Sequence, residues 1–329
     1  MLVCKLLFKT FLLLRFSIMK KHFFAISFLP AILFMGCNSS KVTDTENQKY
    51  NKPINTNFDY QGHRGSRGLM PENTIPAMLK AIDLGVTTLE MDVVFTKDNV
   101  AILSHEPFFS HEISTNPDGK IVDAAEEKSL NIYKMTFAQT QKYDVGTKQH
   151  TRFTKQQNRN VAKPSLSTLI DSVENYTSAT NKAKIFYNIE TKTKPETDKR
   201  YHPAPASFVD MLIKVIQQKK IEDRVTIQSF DRRTLQFLHK KYPAIKTALL
   251  IEATDKNSFR KQLKDLGFYP TIYSPEQSLV NPNLITECHK RNIQIIPWTV
   301  NDKKEIVKFK KMGVDGIISD YPDLFSSIK

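Results

Sequence analysis

Two apolar patterns alternate along the chain from residue 58 onward. Short runs of three to eight residues, rich in Val, Ile, Leu and Tyr, are separated by longer segments whose apolar positions recur every three or four residues. The first pattern predicts strands over residues 58–63, 88–95, 185–190, 225–228, 247–251, 271–273, 295–300 and 316–318. The second predicts helices over 74–84, 207–219, 232–242, 257–266, 283–291 and 303–312, with a further one from 167. A strand that is regularly followed by a helix is the signature of parallel βα units, and eight of them favour an α/β fold closed as a (β/α)8 TIM barrel. An open doubly wound sheet is the alternative arrangement.

Three stretches break this rhythm. Residues 107–164 form a long, polar, weakly patterned insertion after the second strand region, with a turn expected at Asn116, Pro117, Asp118 and Gly119. Long loops in barrels are usually functional and active sites lie where loops leave the strand C-termini, so the insertion is expected to shape the substrate entrance. Residues 38–57 are Ser, Thr, Asn, Lys and Asp with few apolar side chains, a composition that cannot bury a core and reads as a flexible tether.

Residues 1–37 read as a targeting leader. Met19, Lys20 and Lys21 form a basic n-region and a second start beside Met1, and the apolar run from Phe23 to Phe34 follows. Pro30 interrupts that run, which is shorter than the roughly 20 residues of a membrane span. The run ends in Phe34, Met35, Gly36 and Cys37, which resembles a bacterial lipoprotein signal with Cys37 as the lipidated residue. An extracytoplasmic, membrane-anchored lipoprotein is the expectation, with a secreted or periplasmic protein as the alternative. The domain at 58–329 then holds a single cysteine, Cys288, so no disulfide framework is expected there. The net charge of +14 is carried by dispersed lysines without a basic tract or nucleic-acid motif, so no nucleic-acid partner is expected.

The chemistry-bearing residues fall at the ends of predicted strands. The first strand ends in Gln61, Gly62, His63, Arg64 and Gly65, placing an imidazole and a guanidinium where barrels keep their catalysts. The second carries Glu90 and Asp92, which the period of two puts on one face. Two carboxylates facing a barrel mouth need neutralisation, which points to a divalent cation on hard oxygen ligands. Glu190 ends the next strand and would supply a third carboxylate, or else face solvent. Lys192 follows two residues later. His105, after another short apolar run, could face His63 as a second acid/base group. Arg64 suits bidentate recognition of phosphate oxygens.

These residues also resemble, in order and spacing, the glycerophosphodiester phosphodiesterase family. The matching motifs are Gly62-His63-Arg64-Gly65, Pro71-Glu72-Asn73-Thr74, Glu90-Met91-Asp92-Val93, Ser104-His105, Lys163-Pro164-Ser165-Leu166, Asn188-Ile189-Glu190 with Lys192, Gln228-Ser229-Phe230, Pro297-Trp298-Thr299-Val300-Asn301, and 313–320 at the end. The resemblance implies a barrel and one Ca2+ or Mg2+ ion held by Glu90, Asp92 and Glu190. It also implies paired catalysis by His63 and His105 and substrate contacts from Arg64, Lys192 and Trp298. The implied reaction is hydrolysis of a glycerophosphodiester to glycerol 3-phosphate and an alcohol, begun by the substrate's own glycerol 2-hydroxyl. One departure stands out: Glu106 occupies a position where the family commonly has Asp, which bears on how His105 is oriented. The competing readings are a phospholipase D-like enzyme acting on lysophospholipids and a catalytically inactive lipid-anchored binding protein.

Overall fold

The computed structural model describes residues 57–328; the leader, Cys37 and residues 38–56 of the tether lie outside the described residues. Parallel strands β1 (Asp59–Gly62), β2 (Thr88–Phe95), β4 (Phe186–Thr191), β5 (Val225–Ser229), β6 (Lys246–Ile251), β7 (Ile272–Pro275), β8 (Gln294–Ile295) and β9 (Gly316–Ser319) pair in the order β8-β7-β6-β5-β4-β2-β1-β9. Hydrogen bonds from Asp315 N to Ile295 O, Ile318 N to Pro297 O and Val300 N to Ile318 O link the last two strands, so the eight parallel strands form a nearly closed barrel. A short β3 (Ala101–Leu103) returns antiparallel along β2 and is the strand that periodicity did not reveal.

Helices α1 (Ile75–Asp83), α3 (Leu166–Ala179), α4 (Pro205–Lys219), α5 (Arg232–Lys241), α6 (Phe259–Leu266), α7 (Pro282–His289) and α8 (Lys303–Met312) surround it, with a one-turn α2 (Phe137–Thr140) in the insertion. Their starts follow local chemistry. Thr74, Ser165, Asp231, Ser258, Asn281 and Asp302 each cap a helix by accepting a first-turn backbone N–H. The predicted strand at 295–300 is shorter than expected. Pro297 has no N–H to donate, so the ladder stops at Ile295 and the chain continues as an irregular segment bridged to Glu276 at Trp298.

The main apolar core lies between barrel and helices, where Phe95 meets Phe208 edge-on at 4.7 Å. Inside the barrel the two halves differ. β6, β7 and β9, together with Ile296, contribute Ala248, Ile272, Ile318 and Ile296, whereas β1, β2, β4 and β5 contribute Gln61, Glu90, Asp92, Asn188, Glu190 and Gln228. The insertion packs a separate cluster, Phe109, Ile132 and Val145, onto Val94 and Ile102, and the turn at 116–119 forms with Gly119 at φ +86°. Among the described residues no helix is long and apolar enough to cross a membrane.

Phe208 is wholly buried. Phe208→Ala should lower the unfolding free energy in urea by about 3–5 kcal/mol, the usual loss for a buried aromatic; a loss under about 1 kcal/mol would show that this core face is not packed as described.

Candidate active site

Strand register builds the centre of the site. Glu90 pairs with Asn188 and Asp92 with Glu190 across β2 and β4, so the period of two on each strand brings three carboxylates together. Glu90, Asp92 and Glu190 each offer an oxygen within 4.8 Å of the others, and all three are buried. Burial and the charge of Asp92 push the Glu90 carboxyl well up. Burial, against Lys192 and with Asp92 adding to it, pushes Glu190 up to about 7. Burial also works against ionised Asp92, yet Lys192 and Arg64 hold its carboxyl well down. Lys192 Nζ donates to Glu190 Oε1 at 2.8 Å and lies 3.6 Å from Asp92 Oδ1. Three buried carboxylates, two of them resisting ionisation, are a donor set of hard oxygens that fits a divalent cation.

An amide ladder supports this cluster from below. Asn188 Nδ2 donates to Gln61 Oε1 at 2.8 Å and to Gln228 Oε1 at 3.0 Å, and Gln228 Nε2 donates to Glu90 Oε1 at 2.7 Å. Asn73 grips Asp92 twice, its Nδ2 donating to Oδ2 and its Oδ1 accepting from the Asp92 backbone N–H. The second oxygen of Glu90 accepts the backbone N–H of Arg64 at 2.7 Å. That contact needs a tight turn. Gly65 sits at φ +85°, and a Cβ there would fall 2.7 Å from the Ala77 carbonyl carbon, while a Cβ on Gly62 would fall 2.2 Å from Gly65 O.

The turn aims His63 and Arg64. His63 Nδ1 lies 2.6 Å from Asp320 Oδ1 and its Nε2 lies 4.0 Å from Glu90 Oε2. Burial lowers the His63 pKa despite Asp320, so at neutral pH the ring is neutral; Nδ1–H donates to the Asp320 carboxylate, and Nε2 is left unprotonated. Asp320 is held down to about 2, burial being outweighed by His63, and Asn301 Nδ2 donates to its other oxygen at 2.6 Å. Arg64 Nη1 donates to Glu72 Oε1 at 2.8 Å and Nε lies 3.3 Å from Asp92 Oδ2. Arg67 Nε approaches the other Glu72 oxygen at 2.6 Å. Glu72 is therefore the clamp between two arginines.

His105, one-third exposed, lies on the turn after β3, and its Nδ1 meets Glu106 Oε1 at 2.7 Å. The glutamate thus does the orienting that was in question. Burial, with Lys192 and Arg64 adding to it, pushes His105 down to about 4. His63, Arg64, Glu90, His105 and Glu190 line one cavity of about 210 Å3 with Phe230 and Trp298, and Arg152 reaches its wall from the insertion. Lys192 contributes through the carboxylates. His150, His202 and His289 line neither this cavity nor the one beside it, whereas His111 lines the adjoining cavity and its Nδ1 lies 2.7 Å from Glu127 Oε2. Asp320, Asn73 and Arg67 are the site residues that sequence reasoning did not single out. Asp320 and Asn73 stood inside quoted motifs, where their side-chain partners, 257 and 19 residues away, could not be read.

A model of the glycerophosphoryl diester phosphodiesterase family matches residues 63–324. The chain belongs to this family. It is 28% identical over 263 residues to a glycerophosphodiester phosphodiesterase of Caldanaerobacter subterraneus subsp. tengcongensis, covering 79% of this chain and 93% of that one. A glycerophosphodiester phosphodiesterase of Bacillus altitudinis is 28% identical over 269 residues, covering 79% and 94%. A solved candidate glycerophosphoryl diester phosphodiesterase from Silicibacter pomeroyi DSS-3 superposes with a TM-score of 0.73 at 27% identity over 86% of this chain and 96% of its own. The barrel fold is shared as well by a phosphodiesterase of Oleispira antarctica solved with the product sn-glycerol-3-phosphate, at a TM-score of 0.64, 21% identity and 82% and 96% coverage. The family match thus runs from the end of β1 past β9 and includes the insertion.

Asp320 acts through His63, so Asp320→Asn should lower kcat by about 10²-fold or more while substrate KM changes little. Its folded pKa lies below the unfolded value, so the stability it contributes is complete above the unfolded pKa and fades as pH falls through the folded one. Urea unfolding of wild type and Asp320→Asn should therefore differ most above about pH 4 and converge toward about pH 2; a constant difference across that window would contradict the His63–Asp320 contact.

Proposed function

We propose that this protein is a metal-dependent glycerophosphodiester phosphodiesterase that releases glycerol 3-phosphate and an alcohol. The observation that carries the reading is the carboxylate triad Glu90, Asp92 and Glu190 placed beside His63, Arg64 and His105 in one cavity. Glu90, Asp92 and Glu190 would hold Ca2+ or Mg2+, and such an ion, when bound, stabilises the charge that develops on the phosphoryl oxygens. The product carried by the Oleispira enzyme is the same one that this reading assigns.

His63 has the means to act as general base. Its Nε2 is unprotonated at neutral pH and its ring is fixed by Asp320, so it takes the proton of the substrate hydroxyl that attacks phosphorus. His105 returns a proton to the departing alkoxide, and water then opens the cyclic phosphate left by the hydroxyl's attack to give glycerol 3-phosphate. Alone it is neutral at pH 7, and the anionic phosphodiester supplies the negative charge that favours its protonated form against Lys192 and Arg64. Arg64 is committed to Glu72 and Asp92 through Nη1 and Nε, which leaves Nη2 for a phosphate oxygen. Lys192 holds Glu190 and Asp92 in place and is the second cation available to the phosphate. Trp298, anchored by its Nε1–H on Ser274 O at 3.0 Å and packed edge-on to Phe230, offers an apolar wall to the glycerol carbons.

The charged lining of the adjoining cavity, where Phe108 and Ile113 are the apolar members among Arg, Glu, His and Lys, supports water-soluble head groups over a lysophospholipid. None of the proposed base, acid or carboxylate residues is lacking, which speaks against a binding protein without turnover. Lipid anchoring at Cys37 in an extracytoplasmic protein belongs to the same proposal and rests on the leader motif.

Purified protein should release glycerol 3-phosphate from glycerophosphocholine or glycerophosphoglycerol. EDTA should abolish release and added Ca2+ or Mg2+ should restore it. Glu90→Ala and His63→Ala should each lower kcat/KM by about 10³-fold or more with the fold retained by circular dichroism. Full activity in EDTA, or in either variant, would refute the metal and base assignments.

A further inference from the structure

A second cavity of about 410 Å3 adjoins the first and shares Arg64, Arg67, His105 and Arg152 with it. Its far wall comes from the insertion, through Phe108, His111, Glu127 and Lys163. On the proposed reaction His105 serves the leaving alcohol, so the space on its far side from Trp298 is where that alcohol lies.

The charges lining this second cavity are unequally satisfied. Glu72 is clamped by Arg64 and Arg67, Glu106 is bound to His105, and Glu127 accepts from both the ring and the backbone of His111. Glu112 is about half exposed. The cations differ. Lys163 is 3% exposed, yet its ammonium has no hydrogen bond or ion pair among the described residues; it faces Phe109 at 5.7 Å, and Glu72, Glu106 and Asp92 act on it only from beyond contact, each already held by a partner of its own. Burial pushes it down to about 8, so it still carries a proton at neutral pH. Arg152 likewise has no carboxylate partner among the described residues and stacks over Phe153 at 5.2 Å. A buried ammonium without an anion is costly, and one that lines a cavity is placed to receive its anion from a ligand.

We propose that this cavity receives the leaving alcohol and that Lys163, helped by Arg152, recognises an anionic group on it, a carboxylate or a phosphate. Lys163 is thus a specificity-determining residue. The inference rests on the proposed phosphodiesterase reading, and its test separates the two.

The kinetic arm compares kcat/KM for glycerophosphoserine and glycerophosphoinositol phosphate, whose leaving alcohols carry an anionic group, with that for glycerophosphoglycerol, whose leaving alcohol carries none, in wild type and in Lys163→Gln. The ratio of kcat/KM for the substrate with an anionic leaving alcohol to that for the one with an uncharged leaving alcohol should fall by about tenfold or more in Lys163→Gln, the worth of one charge-assisted hydrogen bond. Serine and inositol phosphate distinguish a carboxylate from a phosphate as the recognised group. A ratio unchanged by the substitution, with both substrates equally slowed, would assign Lys163 to structure or catalysis and overturn the proposal. The binding arm does not depend on turnover. Calorimetric titration of glycerophosphoserine, glycerophosphoinositol phosphate and glycerophosphoglycerol into His63→Ala, and into His63→Ala with Lys163→Gln, should show a preference for at least one anionic ligand that the second substitution removes. A preference seen without any turnover would support Lys163 while the reaction assigned to the site failed; no preference for either anionic ligand at position 163 Lys would refute the inference even if the enzyme were active. Lys163→Met, free of any polar group to bury, checks that the folded state tolerates loss of the charge.

Discussion

Three carboxylates pointed into one end of a barrel repel one another, and the rest of the site is organised around that repulsion. Glu90 and Asp92 share a face of β2 because strand side chains alternate, and Glu190 joins them because β4 pairs in the register that sets it beside Asp92. Buried together, they resist ionisation unless cations are supplied, as the raised Glu90 and Glu190 carboxyls show. Lys192 and Arg64 supply part of that charge from within the chain, and the remaining imbalance is what suits the cluster to a divalent ion.

The fixed cations need fixing themselves. Arg64 stands on a turn that only glycine at position 65 accommodates, with its backbone N–H on Glu90 and its guanidinium on Glu72. Glu72 in turn pairs with Arg67, Asn73 bonds Asp92 and Asp92 pairs with Arg64, so these five residues form one unit of hydrogen bonds and ion pairs. Beneath it the chain of amides Gln61, Asn188 and Gln228 fills the polar half of the barrel interior, leaving the apolar half to Ala248, Ile272, Ile296 and Ile318. A polar network of this kind rigidifies a site because each member's partners are also fixed.

Much of this was legible from the chain. The period of two on residues 88–95 placed Glu90 and Asp92 on one face, and eight alternating units pointed to the barrel that the pairing order describes. Glu190 could be suspected but not placed, since its position depends on register between strands about a hundred residues apart. Asp320 closes the longest such link, from the end of β9 to His63, and no local pattern announces it. β3 escaped because three residues are too few to show a period, and the shortened β8 followed from Pro297 inside an apolar run. The insertion was legible as an interruption, but not the role of His111 and Lys163 in lining a cavity, because that depends on how an irregular segment packs onto Val94 and Ile102.

The central claim is that Glu90, Asp92 and Glu190 together hold a divalent cation, and calorimetric titration of Ca2+ and of Mg2+ into the purified protein and its Glu190→Gln variant tests it directly. One ion bound per chain by the wild type, with affinity weakened by about tenfold or more in the variant, is the expected result. Equal affinity and stoichiometry in the two proteins, or no binding of either ion to the wild type, would contradict it.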